Sequence, residues 1–176
     1  MKRVLRLLTD PAYAGYLART AALEADRPFC RHDLAHSLSV ARIAYIYALE
    51  EGLCRGVGSS ADGTGARKPD AVKPILYAAA LTHDIGRFRQ YEDGAAHEKV
   101  SAELAEPLLL RAGFSRAERK EIAQAILLHR DGAGAQKASD SARWIYRADR
   151  ASRSCRGCAA LALCKQPKNG GEEEIV

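Results

Sequence analysis

Ala-Leu-Thr-His-Asp-Ile-Gly at 80–86 sets an imidazole and a carboxylate side by side, His83 and Asp84, at the end of the apolar run from Ile75 to Leu81. Polar groups taken out of water need partners, and a divalent metal would serve both. Further candidate ligands are spread along the chain: His36, His97, His129 and Asp149, with His32 the one other histidine. Imidazole with carboxylate suits Fe, Mn, Zn, Co or Ni better than Ca or Mg. One such metal takes about four to six ligands, some of them water, and can lower the pKa of that water to about 7, which makes a nucleophile at neutral pH.

Taken singly, these residues have plainer readings. His36 reads as a satisfied core histidine. His83-Asp84 and His129 read as helix C-termini where the dipole favours an imidazole. His97 reads as a first-turn surface residue. Asp149 reads as half of a surface ion pair with Arg147, Arg150 or Arg153, worth little. Their placement near helix ends is what joins them, because helix ends converge at one mouth of a bundle.

The positioning elements are all helical. Ala, Leu, Arg and Glu abound, and no convincing strand pair is visible, so the fold class is all-α. Asp10-Pro11 caps and opens a helix to about Ala25. A second covers about His32 to Leu53, with Leu34, Leu38, Ala41, Ala44, Ile46 and Leu49 at helical spacing. Residues 54–70 read as a flexible loop that could gate a site. A third helix runs from Ala71, capped by Asp70, to His83, with Pro74 in its first turn. A fourth lies between Gly94 and Gly113, kinked at Pro107. Ser115 and Glu118 have capping-box spacing and open a fifth to about Arg130. Asp131 to Lys137 reads as a Gly/Ala loop. A sixth starts at Asp140 and passes through Asp149 to about Ser154. The stretch 166–176 reads as a loose tail.

At 176 residues the chain reads as one domain, over 1–165. No apolar run is long enough to span a membrane. Met1–Leu8 is basic and partly apolar but too short for a secretory signal, so the expected compartment is the cytoplasm, where thiols stay reduced. The net charge of +5 favours anionic partners. Scattered basic residues and 6% aromatics do not read as a nucleic-acid surface. Oligomeric state is not legible.

Cys-Arg-His-Asp-Leu-Ala-His-Ser-Leu-Ser-Val-Ala-Arg at 30–42, Ala-Leu-Thr-His-Asp-Ile-Gly-Arg at 80–87 and Ala-Asp-Arg at 148–150 together resemble the HD-domain metal-dependent phosphohydrolase superfamily over about residues 28–155. The resemblance implies a helical bundle around one or two metals, with His36, His83, Asp84 and Asp149 as ligands. His97-Glu-Lys-Val-Ser-Ala and Ala-Ile-Leu-Leu-His129 look like the extra histidines of its six-ligand, two-metal subset. By that resemblance Asp84 bridges, His36, His83 and Asp149 hold one metal, and His97 and His129 hold the other. The alternative is one metal, with both histidines contacting phosphate or water. The implied activity is hydrolysis of a nucleotide or another small phosphoester or phosphoanhydride, with Asp84 orienting the metals and able to take a proton from the attacking water. The same ligand order occurs in HD-type di-iron oxygenases, and a regulatory HD protein that binds metal or nucleotide without turnover is a further class. Arg87 and Arg130, then Arg153, are the candidates to hold phosphate, since a planar guanidinium matches its oxygens.

Cys155, Cys158 and Cys164 form a second constellation. In a reducing compartment this spacing reads as metal before disulfide, and a four-coordinate site needs one more ligand. Cys30 is the leading candidate, because the resemblance brings the segments before His36 and after Asp149 together. The site would hold structural Zn or an iron–sulfur cluster. Otherwise these are small buried residues, and Cys54 is left out.

Overall fold

The run that leads to His83 forms the central helix of the computed structural model, which describes residues 1–51, 68–153, 155 and 158–164. The expected loop at 54–70, except 68–70, lies outside the described residues, as do Cys54 and the tail at 166–176. Among the described residues there are α-helices and no strands: α1 (Lys2–Leu8), α2 (Pro11–Leu23), α3 (Leu34–Glu50), α4 (Pro69–Thr82), α5 (Arg87–Asp93), α6 (His97–Ala112), α7 (Arg116–Leu128), α8 (Gly132–Ala138) and α9 (Asp140–Ala151). A short 3-10 turn follows at Leu161–Leu163. The all-α expectation holds.

Helix α4 is apolar around most of its circumference, the pattern of a helix buried on all sides. Val72, Ile75, Leu76, Ala78, Ala79, Ala80 and Leu81 are all buried. It packs against α3 and α7 and touches α1, α6 and α9. The small Ala78, Ala79 and Ala80 let those neighbours approach closely. Helix α3 packs on both α4 and α9, and α6 packs on α7. The helix that ends in His83-Asp84 is therefore the one around which the others are laid.

Local signals fix most of the ends. Asp10 accepts the Ala12 N–H (2.9 Å), with Pro11 as first helical residue. Asp33 accepts the His36 N–H (2.8 Å) and starts α3. Ser115 and Glu118 make both bonds of the capping box (3.3 and 2.8 Å). Glu118 also takes a two-pronged bond from Arg3 of α1 (2.6 and 2.9 Å). Gly94 and Gly113 end α5 and α6 at φ 76° and 91°, in the left-handed region that glycine enters without penalty.

Several expectations need correction. Helix α3 starts at Leu34 and ends at Glu50 rather than near Leu53. Helix α4 starts at Pro69 after Lys68, so Asp70 lies in its first turn and Pro74 in the next. Proline at the first position is preorganised for a helix and needs no N–H there. Helix α6 starts at His97 and continues through Pro107 to Ala112, and α9 ends at Ala151. Residues 131–137 are not a loop. Asp131 caps α8 by accepting the Gly134 N–H (2.9 Å), and Ala135 is buried where α8 packs on α9. Helices α1 and α5 were not foreseen. Each is seven residues long, and helices so short depend on tertiary packing, which local sequence does not show.

Gly86 sets the distance between α4 and α6. A Cβ at this position would stand 2.6 Å from Ser101 N, 2.8 Å from Val100 Cβ and 2.9 Å from His97 O. The Gly86 N–H also donates to Ser101 Oγ (2.9 Å). The first turns of α6 are thereby drawn against the residues that follow Asp84. Gly86→Ala should push α6 outward, lower stability by about 1–3 kcal/mol in urea unfolding, and misplace His97 while leaving His36 and His83 in position.

Candidate metal centre

Five segments deliver the site. His36 lies in the first turn of α3, His83 and Asp84 follow α4, His97 opens α6, His129 closes α7, and Asp149 lies in the last turns of α9. The ends of these helices meet at one place. Ligand-type atoms of His36, His83, Asp84 and Asp149 all lie within 4.8 Å of one another, and so do those of Asp84, His97 and His129. Asp84 belongs to both groups. All six are brought together, in the two groups that the family resemblance implies.

The two oxygens of Asp84 face different groups. Oδ2 is 3.0 Å from His83 Nε2 and 3.8 Å from His36 Nε2. Oδ1 is 3.1 Å from His97 Nε2 and 3.8 Å from His129 Nε2. Asp149 Oδ1 closes the first group, 3.2 Å from His36 Nε2 and 3.6 Å from His83 Nε2. In the second, His97 and His129 bring their Nε2 atoms to 3.1 Å.

Hydrogen bonds at the far side of each ring aim Nε2 inward. His83 Nδ1 donates to Ala80 O (2.6 Å), and His129 Nδ1 donates to Ile126 O (2.6 Å). His97 Nδ1 lies 2.8 Å from Gln90 Oε1 and 2.9 Å from Arg87 Nη1. His36 Nδ1 lies 3.3 Å from Ser152 Oγ. A ring that has committed its Nδ1 proton presents an Nε2 lone pair, the form that binds a metal. His83 Nε2 and Asp84 Oδ1 are buried and make no hydrogen bond. A cation in the place of the His83 proton would satisfy both atoms. The donor set of imidazoles and carboxylates thus fits one or two divalent metals.

The electrostatics agree. Burial opposes charge on His83, yet the Asp84 and Asp149 carboxylates outweigh it and push the imidazole up to about 10. Burial likewise opposes ionisation of Asp84 and Asp149. The charge on His83, with Arg87 at Asp84 and with His36 and Arg153 at Asp149, holds both well below the usual carboxylate range. Burial and the charged His83 lower His129 to about 4, and burial lowers His36. The proton on His83 answers two buried negative charges.

A cavity of about 530 Å³ opens over these groups, and Asp84, His129 and Asp149 are part of its wall. Arg87, Arg130 and Arg153 line it, joined by Arg27 and Arg150, which the sequence did not single out. Arg130 is more than half exposed, with Glu98 at 3.8 Å. Arg153 reaches His36 Nε2 (3.2 Å) and Asp149 Oδ1 (3.4 Å). Cys30, Cys155 and Cys164 also line the cavity, and a backbone bond from Cys158 N–H to Cys155 O (3.2 Å) makes a turn. Among the described residues no three of these thiols fall within 4.8 Å of one another. No sequence pattern marks Glu24, Gln90 and Tyr91: Gln90 and Tyr91 lie on the seven-residue α5, and Glu24 is the C-cap of α2.

Comparison with known proteins follows the geometry. The family model described as HD domain matches residues 33–154. A Clostridium beijerinckii protein, named only "Uncharacterized protein", is 38% identical over 174 residues, 99% of this chain and 96% of its own. "Putative phosphohydrolase YueE" of Bacillus subtilis is 40% identical over 74 residues, 36% of this chain and 42% of its own. No solved structure matches the chain.

Because His83 must give up its proton to coordinate, while His36 and His129 are already neutral, metal binding near neutral pH should release about one proton for the first ion. His83 is protonated below about 10, so apparent affinity should rise with pH, up to about tenfold per unit, through that range. Calorimetric titration of Mn²⁺ into metal-free protein in two buffers of different ionisation enthalpy measures the release. A count of zero would show His83 neutral.

Proposed function

This chain belongs to the HD domain family, and we propose that within it the chain acts as a metal-dependent phosphohydrolase on a nucleotide or another small phosphoester or phosphoanhydride. The observation that carries this reading is the pair of ligand groups sharing Asp84 beneath a cavity lined by five arginines. Metals held there would supply an activated water and neutralise charge on a phosphoryl group.

The chain's own residues would do the rest. Asp84 would hold two ions at once through its separate oxygens. Its carboxyl is held well below the usual range, so it would serve as a fixed anion. Arg87 and Arg153 would bind non-bridging phosphoryl oxygens, with Arg130 at the rim toward the leaving group. In the structure Arg153 rests against His36 and Asp149 and lines the cavity. The arginine-rich wall suits an anionic, phosphate-bearing substrate.

The test is elemental analysis followed by a panel of nucleotides and phosphoesters with Mn, Fe, Co and Ni. The expected result is phosphate release that requires metal. Asp84→Ala should lose metal and about 1000-fold in kcat/KM, equivalent to about 4 kcal/mol of transition-state stabilisation. Arg87→Ala should keep its metal and lose about 100-fold. Bound metal with no turnover of any phosphoester, together with oxygen consumption by the reduced iron form, would replace this reading with the oxygenase.

A further inference from the structure

Beside the metal groups lies a buried chain of polar side chains that contributes no ligand to them. His32 is 3% exposed and Glu24 2%. Glu24 sits at the C-terminal cap of α2. Its Oε2 accepts the backbone N–H of His32 (2.8 Å). Its Oε1 accepts His32 Nδ1–H and the Tyr91 hydroxyl, the latter at 2.5 Å. A carboxylate removed from water needs such donors, and here it has three.

The consequence falls on the other ring nitrogen. With the proton on Nδ1 engaged by Glu24, His32 Nε2 keeps its lone pair. That lone pair does not face the ligand groups, although the His32 and His36 ring centroids are only 6.0 Å apart. It accepts from Arg87 Nη2 at 2.6 Å. Gln90 Oε1 accepts from Arg87 Nη1 at 2.7 Å. Both arms of the guanidinium are thus tied down, while Nε is buried without a partner, 3.9 Å from Asp84 Oδ1.

We infer that His32 and Glu24 are positioning residues that lock the Arg87 guanidinium into one orientation at the cavity wall, so that its uncommitted N–H groups meet a phosphoryl oxygen. This rests on Arg87 as a phosphate-binding group. Arginine binds phosphate well because its donors form a rigid fork, yet its long stem must first be ordered. His32, backed by an ionised Glu24 and the Tyr91 hydroxyl, provides that order before substrate arrives. Charge on His32 would break the arrangement, since a doubly protonated ring has no acceptor to offer.

Two substitutions separate this role from simple packing. His32→Asn reaches Glu24 but not Arg87, and His32→Gln reaches Arg87. One measurement is the nitrogen NMR spectrum of the arginine side chains in metal-free protein, with Arg87 identified by its loss in Arg87→Lys. The other is the Kd of inorganic phosphate for the Mn²⁺-loaded protein. Wild type and His32→Gln should show resolved, slowly rotating Arg87 Nη resonances, and His32→Asn should average them. Phosphate binding should weaken about tenfold in His32→Asn, with unchanged Mn²⁺ content, and stay within about threefold in His32→Gln. Averaged Nη resonances in wild type, or resolved ones in His32→Asn, overturn the inference. The wild-type spectrum decides even where the Asn variant does not fold. Failure of the wild-type Mn²⁺ form to bind phosphate would instead overturn the phosphohydrolase reading, with the spectrum still judging the lock.

Discussion

Two carboxylates, the buried Asp84 and the partly buried Asp149, are the constraint on which this structure turns. Taking an ionised carboxylate out of water costs several kcal/mol even after relaxation, unless opposite charge is supplied. Here charge is supplied at short range by His83, Arg87 and Arg153. In the arrangement seen, a proton on His83 balances part of the negative charge. A divalent ion would balance more of it and satisfy the orphaned His83 Nε2 and Asp84 Oδ1 as well. The site is thus built for cations before any question of catalysis arises, and metal and proton compete for the same lone pair.

Around this centre the backbone works as hard as the side chains. Ala80 O and Ile126 O, each three residues before the histidine it serves, fix the tautomers of His83 and His129. These carbonyls lie in the last turns of α4 and α7, and Ile126 O also accepts the His129 N–H (3.4 Å). A helix ending in histidine can therefore use a carbonyl of its own last turn to aim the imidazole. Gly86 then permits the close approach that brings His97 to the other side of Asp84. The Asp84 carboxylate is shared between two groups because two helix ends, of α4 and α6, stand against each other.

The cavity above joins three chemistries in one wall: ligand carboxylates and imidazole, guanidinium groups, and thiols. Cys30, Cys155 and Cys164 bring thiols into that wall. Charge on the wall is mostly positive, which suits an anion, and the two carboxylates at its floor are the groups that a bound metal would neutralise.

Much of this was legible in the sequence. Amphipathic spacing and the caps at Asp10, Ser115 and Glu118 revealed the long helices, because these are local interactions. The order His36, His83-Asp84, His97, His129, Asp149 carried the ligand set, because each residue sits near a helix end whose position local signals mark. What local chemistry does not encode is which distant groups meet. The short helices α1, α5 and α8 exist through packing. The close contact at Gly86, the line from Glu24 through His32 to Arg87, and the dispersal of the cysteines along a cavity wall all depend on segments far apart in the chain. Sequence alone determined the residues able to hold a metal and the helices that carry them. Only the tertiary structure decided that Asp84 faces both ways and that His32 serves an arginine instead of an ion, because a side chain's partner is set by the meeting of surfaces from separate helices.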